Sequence, residues 1–70
     1  MNNPCTYHIL IEGQVAQEEI NAMSPLQMTL ERIDGAATLF SLCTDQSGLI
    51  GLLRHLHARG LVLLSMQREC

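Results

Sequence analysis

The stretch from Thr44 to Arg68, TDQSGLIGLLRHLHARGLVLLSMQR, constrains the fold more than any other part of the chain. Asp45 is suited to cap a helix, because its carboxylate can accept bonds from the orphan amides of the first turn and oppose the positive helix end. Thr44 is the alternative cap. Rotation by about 100° per residue gathers Leu49, Leu52, Leu53 and Leu56 on one face, flanked by Ile50 and His57. Gly48, Gly51, Arg54, His55, Ala58 and Arg59 take the other side. Arg54, His55 and Arg59 lie towards the carboxyl end, where cations are favoured, and Gly60 suits the left-handed position that ends a helix. Leu61 to Met66 (LVLLSM) is apolar at nearly every position, the pattern of a strand covered on both faces. Gln67 to Cys70 is polar and expected to fray. A helix and strand joined in this way must pack on a sheet supplied by the earlier residues.

Those residues supply four candidate elements. Tyr7 to Glu12 (YHILIE) reads as a strand with Tyr7, Ile9 and Ile11 on one face and His8, Leu10 and Glu12 on the other. Gly13 weakens or bulges it, and Gln14 to Met23 then turns helix-friendly, with Ala16, Ile20 and Met23 at i, i+4, i+7. Ser24-Pro25 stops that segment, leaving one or two helical turns or an irregular crossing. Leu26, Met28 and Leu30 alternate with Gln27, Thr29 and Glu31, which predicts a second strand. Asp34-Gly35 then suits the centre of a type I′ hairpin turn. With that turn Leu30 faces Leu39 and Thr29 faces Phe40, which sets Phe40 and Leu42 opposite Met28 and Leu30; a bulged turn reverses the faces.

The order of elements predicts an α+β fold, a ferredoxin-like split β-α-β sandwich with a four-stranded antiparallel sheet of order 4-1-3-2. One main helix and a short or absent first helix cover one face, with a flexible tail over residues 1–6 and a single domain over 7–68. The opposite face, carrying some of Phe40, Leu42, Val62, Leu64 and Met66, is then bare in a monomer. A contiguous apolar patch of that kind marks an association surface.

Size points the same way. A domain of 70 residues buries only about 60% of the surface its unfolded chain exposes, so it needs a disulfide framework, a metal or oligomerisation. Cys5, Cys43 and Cys70 are odd in number and widely spaced, with no secretory apolar segment before them, which speaks against a disulfide framework. They also lack the close pairs of a structural zinc site. Oligomerisation is left, and a hydrophobic fraction of 47% against 16% charged residues supplies the surface for it. Glu12, Arg32, Asp45, Arg54 and Arg59 interrupt every apolar run short of the ~18 residues a membrane span needs, so a soluble, cytoplasmic protein is expected. A net charge of -3 with four Lys+Arg, one Phe and one Tyr gives no electrostatic footprint or stacking platform for nucleic acid.

Candidate chemistry is sparse. His55 and His57 are two apart and point to different sides of a helix, whereas a shared metal would want i, i+4 spacing; no metal or other cofactor is expected. Cys43 stands just before a helix amino terminus, where a thiolate is favoured, yet small buried cysteines are common in cores and no histidine is placed beside it. Glu18 and Glu19 diverge, Asp34 and Asp45 serve turn and cap, and Glu12 and Glu31 have no evident partner for acid and base work. No catalytic residue is assigned, and the chain is not expected to be an enzyme.

At Asp45-Gln46, Leu49, Gly51-Leu52-Leu53, Leu56, Gly60-Leu61 and Leu63-Leu64-Ser65, following an Asp-Gly hairpin, the chain resembles a group of short, uncharacterised bacterial proteins. The likeness runs from Asp34 to Ser65 and implies a shared fold. Members often carry tryptophan between the first two strands, where this chain has none. Asp45-Gln46-Ser47-Gly48-Leu49 is also similar to the first loop of ACT regulatory domains, although that loop follows the first strand there and the third here. The similarity implies a small-ligand contact at Asp45, Ser47 and Gly48. The expectation is thus a homodimeric interaction or regulatory module, with an ACT-like amino-acid sensor and a minimal dimeric ferredoxin-like enzyme as alternatives.

Overall fold

In the computed structural model, residues 4–70 are described. The elements are β1 (Cys5–Glu12), α1 (Gln17–Met23), β2 (Thr29–Asp34), β3 (Ala37–Thr44), α2 (Gln46–Ala58) and β4 (Leu63–Glu69). They build an α+β domain on a four-stranded antiparallel sheet of order β2-β3-β1-β4, which from the other edge is β4-β1-β3-β2. Alternation along the two central strands sets the layers. Tyr7, Ile9 and Ile11 of β1 and Phe40 and Leu42 of β3 are buried beneath α1 and α2, in one cluster with Ile20, Met28, Leu49, Leu52 and Leu56, and Thr38 of β3 is buried on the same side. The intervening residues His8, Leu10, Leu39 and Ser41 line the uncovered face.

The hairpin register differs from the expected one. Gly35 and Ala36, and not Asp34 and Gly35, occupy the turn between Asp34 and Ala37. Only Gly35 has positive φ, at +61°, which a type II′ turn demands at its first central position; type I′ would need it at both. An irregularity between Leu30 and Arg32 then brings Leu30 opposite Phe40. Phe40 and Leu42 therefore sit on the helix side, and their expected place on a bare face is corrected: they are core residues at 0% and 5% exposure. Polar His8, Glu12, Ser41, Gln67 and Glu69 contribute to the uncovered face, so it is not the apolar surface anticipated.

The chain ends also depart from expectation. Of the expected tail, residues 1–3 lie outside the described residues, and Cys5 and Thr6 belong to β1. At the other end β4 runs through Gln67, Arg68 and Glu69 instead of fraying after Met66. Because β1 and β4 are antiparallel neighbours, the first residue of β1 meets the residue after β4, and Cys5 and Cys70 form a disulfide across 65 positions. The odd cysteine count concealed this pair; Cys43 is the free thiol.

The helix α2 follows its sequence signals closely. Asp45 Oδ1 accepts from the Gly48 amide at 2.8 Å, satisfying one orphan donor of the first turn. At the other end the Leu61 amide donates to Leu56 carbonyl at 3.1 Å and the Gly60 amide to His57 carbonyl at 3.0 Å. With Gly60 at φ +83°, this is the Schellman arrangement. It delivers Leu61, half-buried against the core, directly into β4.

Candidate association surface

The two sheet edges are finished differently. A strand edge presents unpaired amides and carbonyls that template pairing with another chain unless something blunts them. At the β2 edge α1 supplies the blunting, because Gln17 and Asn21 are four apart and share one face of the helix. Gln17 Oε1 accepts from the Leu30 amide at 2.8 Å. Asn21 Oδ1 accepts from the Met28 amide at 2.7 Å, and its Nδ2 donates to the Met28 carbonyl at 3.1 Å. Beyond them the strand carries Glu31, Arg32 and Asp34 and an irregular register, both of which discourage pairing.

The β4 edge has none of this. All seven residues of β4 are exposed, and Val62, Leu63, Leu64 and Met66 retain between 41% and 49% of their accessible surface. The apolar run that suggested a doubly covered strand is in fact an edge strand that nothing in the described chain covers. Met66 opposes Ile9 and Leu63 opposes Ile11, so both lie on the helix side of the sheet, and the register shift falls at Leu64. Between them and α2 is a cleft of about 230 Å³ lined by Ile11, Leu53, Leu56, His57, Leu61 and Leu63. The cleft exists because α2 buries Leu49, Leu52 and Leu56 towards the central strands and does not reach over β4.

The residues singled out from sequence are scattered over this frame. Val62, Leu64 and Met66 are together on the exposed strand and its lead-in, whereas Phe40 and Leu42 are in the core. The Asp45 carboxylate is engaged as the cap of α2. A Cβ at Gly48 would overlap Thr44 Oγ1, so the glycine is required by close packing of the cap itself. Ser47 is exposed in the first turn. His57 lies at the cleft among leucines, while Cys43 is exposed on the face away from the helices. They are on opposite sides of the sheet and form no thiol and imidazole pair. Among the described residues no group of three His, Cys, Asp or Glu is placed to hold a metal ion, and no helix is long and apolar enough to cross a membrane.

Sequence reasoning overlooked Gln17, Asn21 and Thr38. The first two read as ordinary polar positions of a short helix, and only their four-residue spacing hinted at a shared task. Thr38 is wholly buried; its Oγ1 accepts from the Val15 amide at 3.0 Å and donates to the Gly13 carbonyl at 2.6 Å, pinning the connection from β1 to α1. A lone threonine in an apolar strand gives no such signal.

These features define a small α+β domain with one protected sheet edge and one open apolar edge. Residues 6–67 match the family model described as Domain of unknown function (DUF8691), and the chain belongs to that family. No curated protein and no solved structure matches it.

Proposed function

We infer that the protein is a ferredoxin-like, homodimeric association module of the cytoplasm that works through β4. The carrying observation is the contrast between the edges: α1 side chains engage backbone groups of Met28 and Leu30 where β2 begins and charged residues follow, while β4 is bare and lined by Val62, Leu63, Leu64 and Met66. A second copy fits this surface better than an unrelated strand. Two β4 strands pairing antiparallel about a two-fold axis use the same patch on both protomers. With the β2 edge protected, such pairing closes at two chains and does not propagate into a fibre. The pairing also sets the apolar side chains of each β4 beside the cleft at Leu53 and Leu61 of the adjoining surface, which adds burial at roughly 25 cal/mol per Å² of apolar area to the backbone bonds.

Light scattering coupled to size exclusion tests the reading, with the disulfide intact. The wild-type protein is expected to run as a dimer at micromolar concentration without added ligand. Leu64→Lys combined with Met66→Lys is expected to yield a folded monomer, since both side chains are outside the core. A wild-type protein that stays monomeric at high micromolar concentration would defeat it, as would a double variant that remains dimeric.

A further inference from the structure

We propose that the Cys5–Cys70 disulfide is a redox clasp that holds β4 on β1 and so controls the association edge; the second half of this rests on the dimer reading above. Three observations converge on β4. Among the described residues, the buried core cluster draws on β1, β3, both helices and adjoining loops, and contains no residue of β4. The strand is held by its ladder to β1, which is interrupted between Leu10 and Ile11, by an exposed contact of 3.2 Å between His8 Nε2 and Glu69 Oε1, and by the disulfide at its far end. The two cysteines differ in access as residues: Cys5 is 9% exposed within the core cluster, whereas Cys70 is exposed. A thiolate reductant therefore approaches the bond from the Cys70 side.

The chemistry is ordinary thiol and disulfide exchange. The thiolate of a small-molecule thiol attacks Sγ of Cys70, the Cys5–Cys70 bond breaks, and Cys5 departs as a thiolate that takes up a proton. A second thiolate attacks the outer sulfur of the mixed disulfide, releasing Cys70 as a thiolate that is protonated in turn. The chain gains two electrons and two protons, and two thiol molecules become one disulfide. Opening the bond removes the covalent tie at the carboxyl end of β4, leaving there the ladder and the exposed His8–Glu69 contact, without touching Ile9, Ile20, Phe40 or Leu52. In the thiol-reducing setting of the reading above, a disulfide is more often a transient sensor than a staple.

Hydrogen exchange on the full chain, oxidised and then reduced with a phosphine, tests the clasp. Reduction is expected to lower protection of the β4 amides, relative to amides bonded between β1 and β3, by on the order of tenfold or more. Cys70→Ser should reproduce the reduced pattern in the absence of reductant. An unchanged ratio, with β4 no more affected than the central strands, overturns the clasp and makes the bond a structural staple. Equilibration in glutathione buffers is the second measurement. The bond is expected to pass from closed to open between oxidising and cytosolic thiol ratios, so that oxidation strengthens association, and a bond that stays closed across that range also overturns the clasp. Dimer dissociation in the two redox states separates the two ideas. Weaker dimerisation on reduction supports control of association. Equal dimerisation refutes that control. A chain that is monomeric in both states defeats the dimer reading while the exchange ratio still decides the clasp.

Discussion

Replacement of Thr38 by valine isolates one hydroxyl on which the connection from β1 to α1 depends. The side chain is fully buried, and its Oγ1 serves the Val15 amide at 3.0 Å and the Gly13 carbonyl at 2.6 Å. Valine keeps the shape and removes both bonds, leaving a buried donor and a partly buried acceptor without partners. Each such group costs about 1–3 kcal/mol, so Thr38→Val should lose about 2–6 kcal/mol. Serine keeps the hydroxyl and deletes a methyl, which costs about 1 kcal/mol. The expected order of stability is wild type, then Thr38→Ser, then Thr38→Val. Because 1 kcal/mol shifts the midpoint of a domain of this size by about 4–8 °C, the valine variant should melt at least about 8 °C below wild type. Urea unfolding followed by circular dichroism, with the disulfide intact, gives the free energies. Exchange at the Val15 amide should accelerate in Thr38→Val alone. A valine variant as stable as the serine variant refutes the reasoning, because packing of the methyl would then outweigh the two bonds.

Further outcomes follow from the same geometry. Gly51 has open space where a Cβ would stand, so Gly51→Ala should stabilise α2 by about 0.5–1 kcal/mol in a urea titration. Gly48→Ala faces Thr44 Oγ1 and should destabilise, with overpacking costs of about 1–3 kcal/mol outweighing the helical gain; Thr44→Ala in the same chain should restore that gain. Asp45→Ala removes the cap bond to Gly48 and should cost about 1 kcal/mol in thermal unfolding. Phe40→Ala should cost about 3–5 kcal/mol, as for any wholly buried aromatic ring. A near-neutral Phe40→Ala, by contrast, would return Phe40 to an exposed face.

What residue order alone determined was local. The cap at Asp45, the leucine face of α2 and the stop at Gly60 all depend on neighbours within a turn or two, and each occurs as its residue types demand. The alternation of Tyr7, Ile9 and Ile11 likewise named the buried face of β1, since a strand's pleat has a period of two. Tertiary structure decided everything that depends on a distant partner. The irregularity at Glu31 moved Phe40 and Leu42 to the helix side, because a one-residue slip inverts whole faces, whereas the one-position change in the hairpin turn would by itself have kept them. The disulfide between Cys5 and Cys70 required β4 to lie beside β1, a contact between the two ends of the chain. Whether an apolar strand is covered or bare is likewise a property of the assembled layers. Leu61 to Met66 carries the same side chains in either case, and only the reach of α2 leaves β4 exposed.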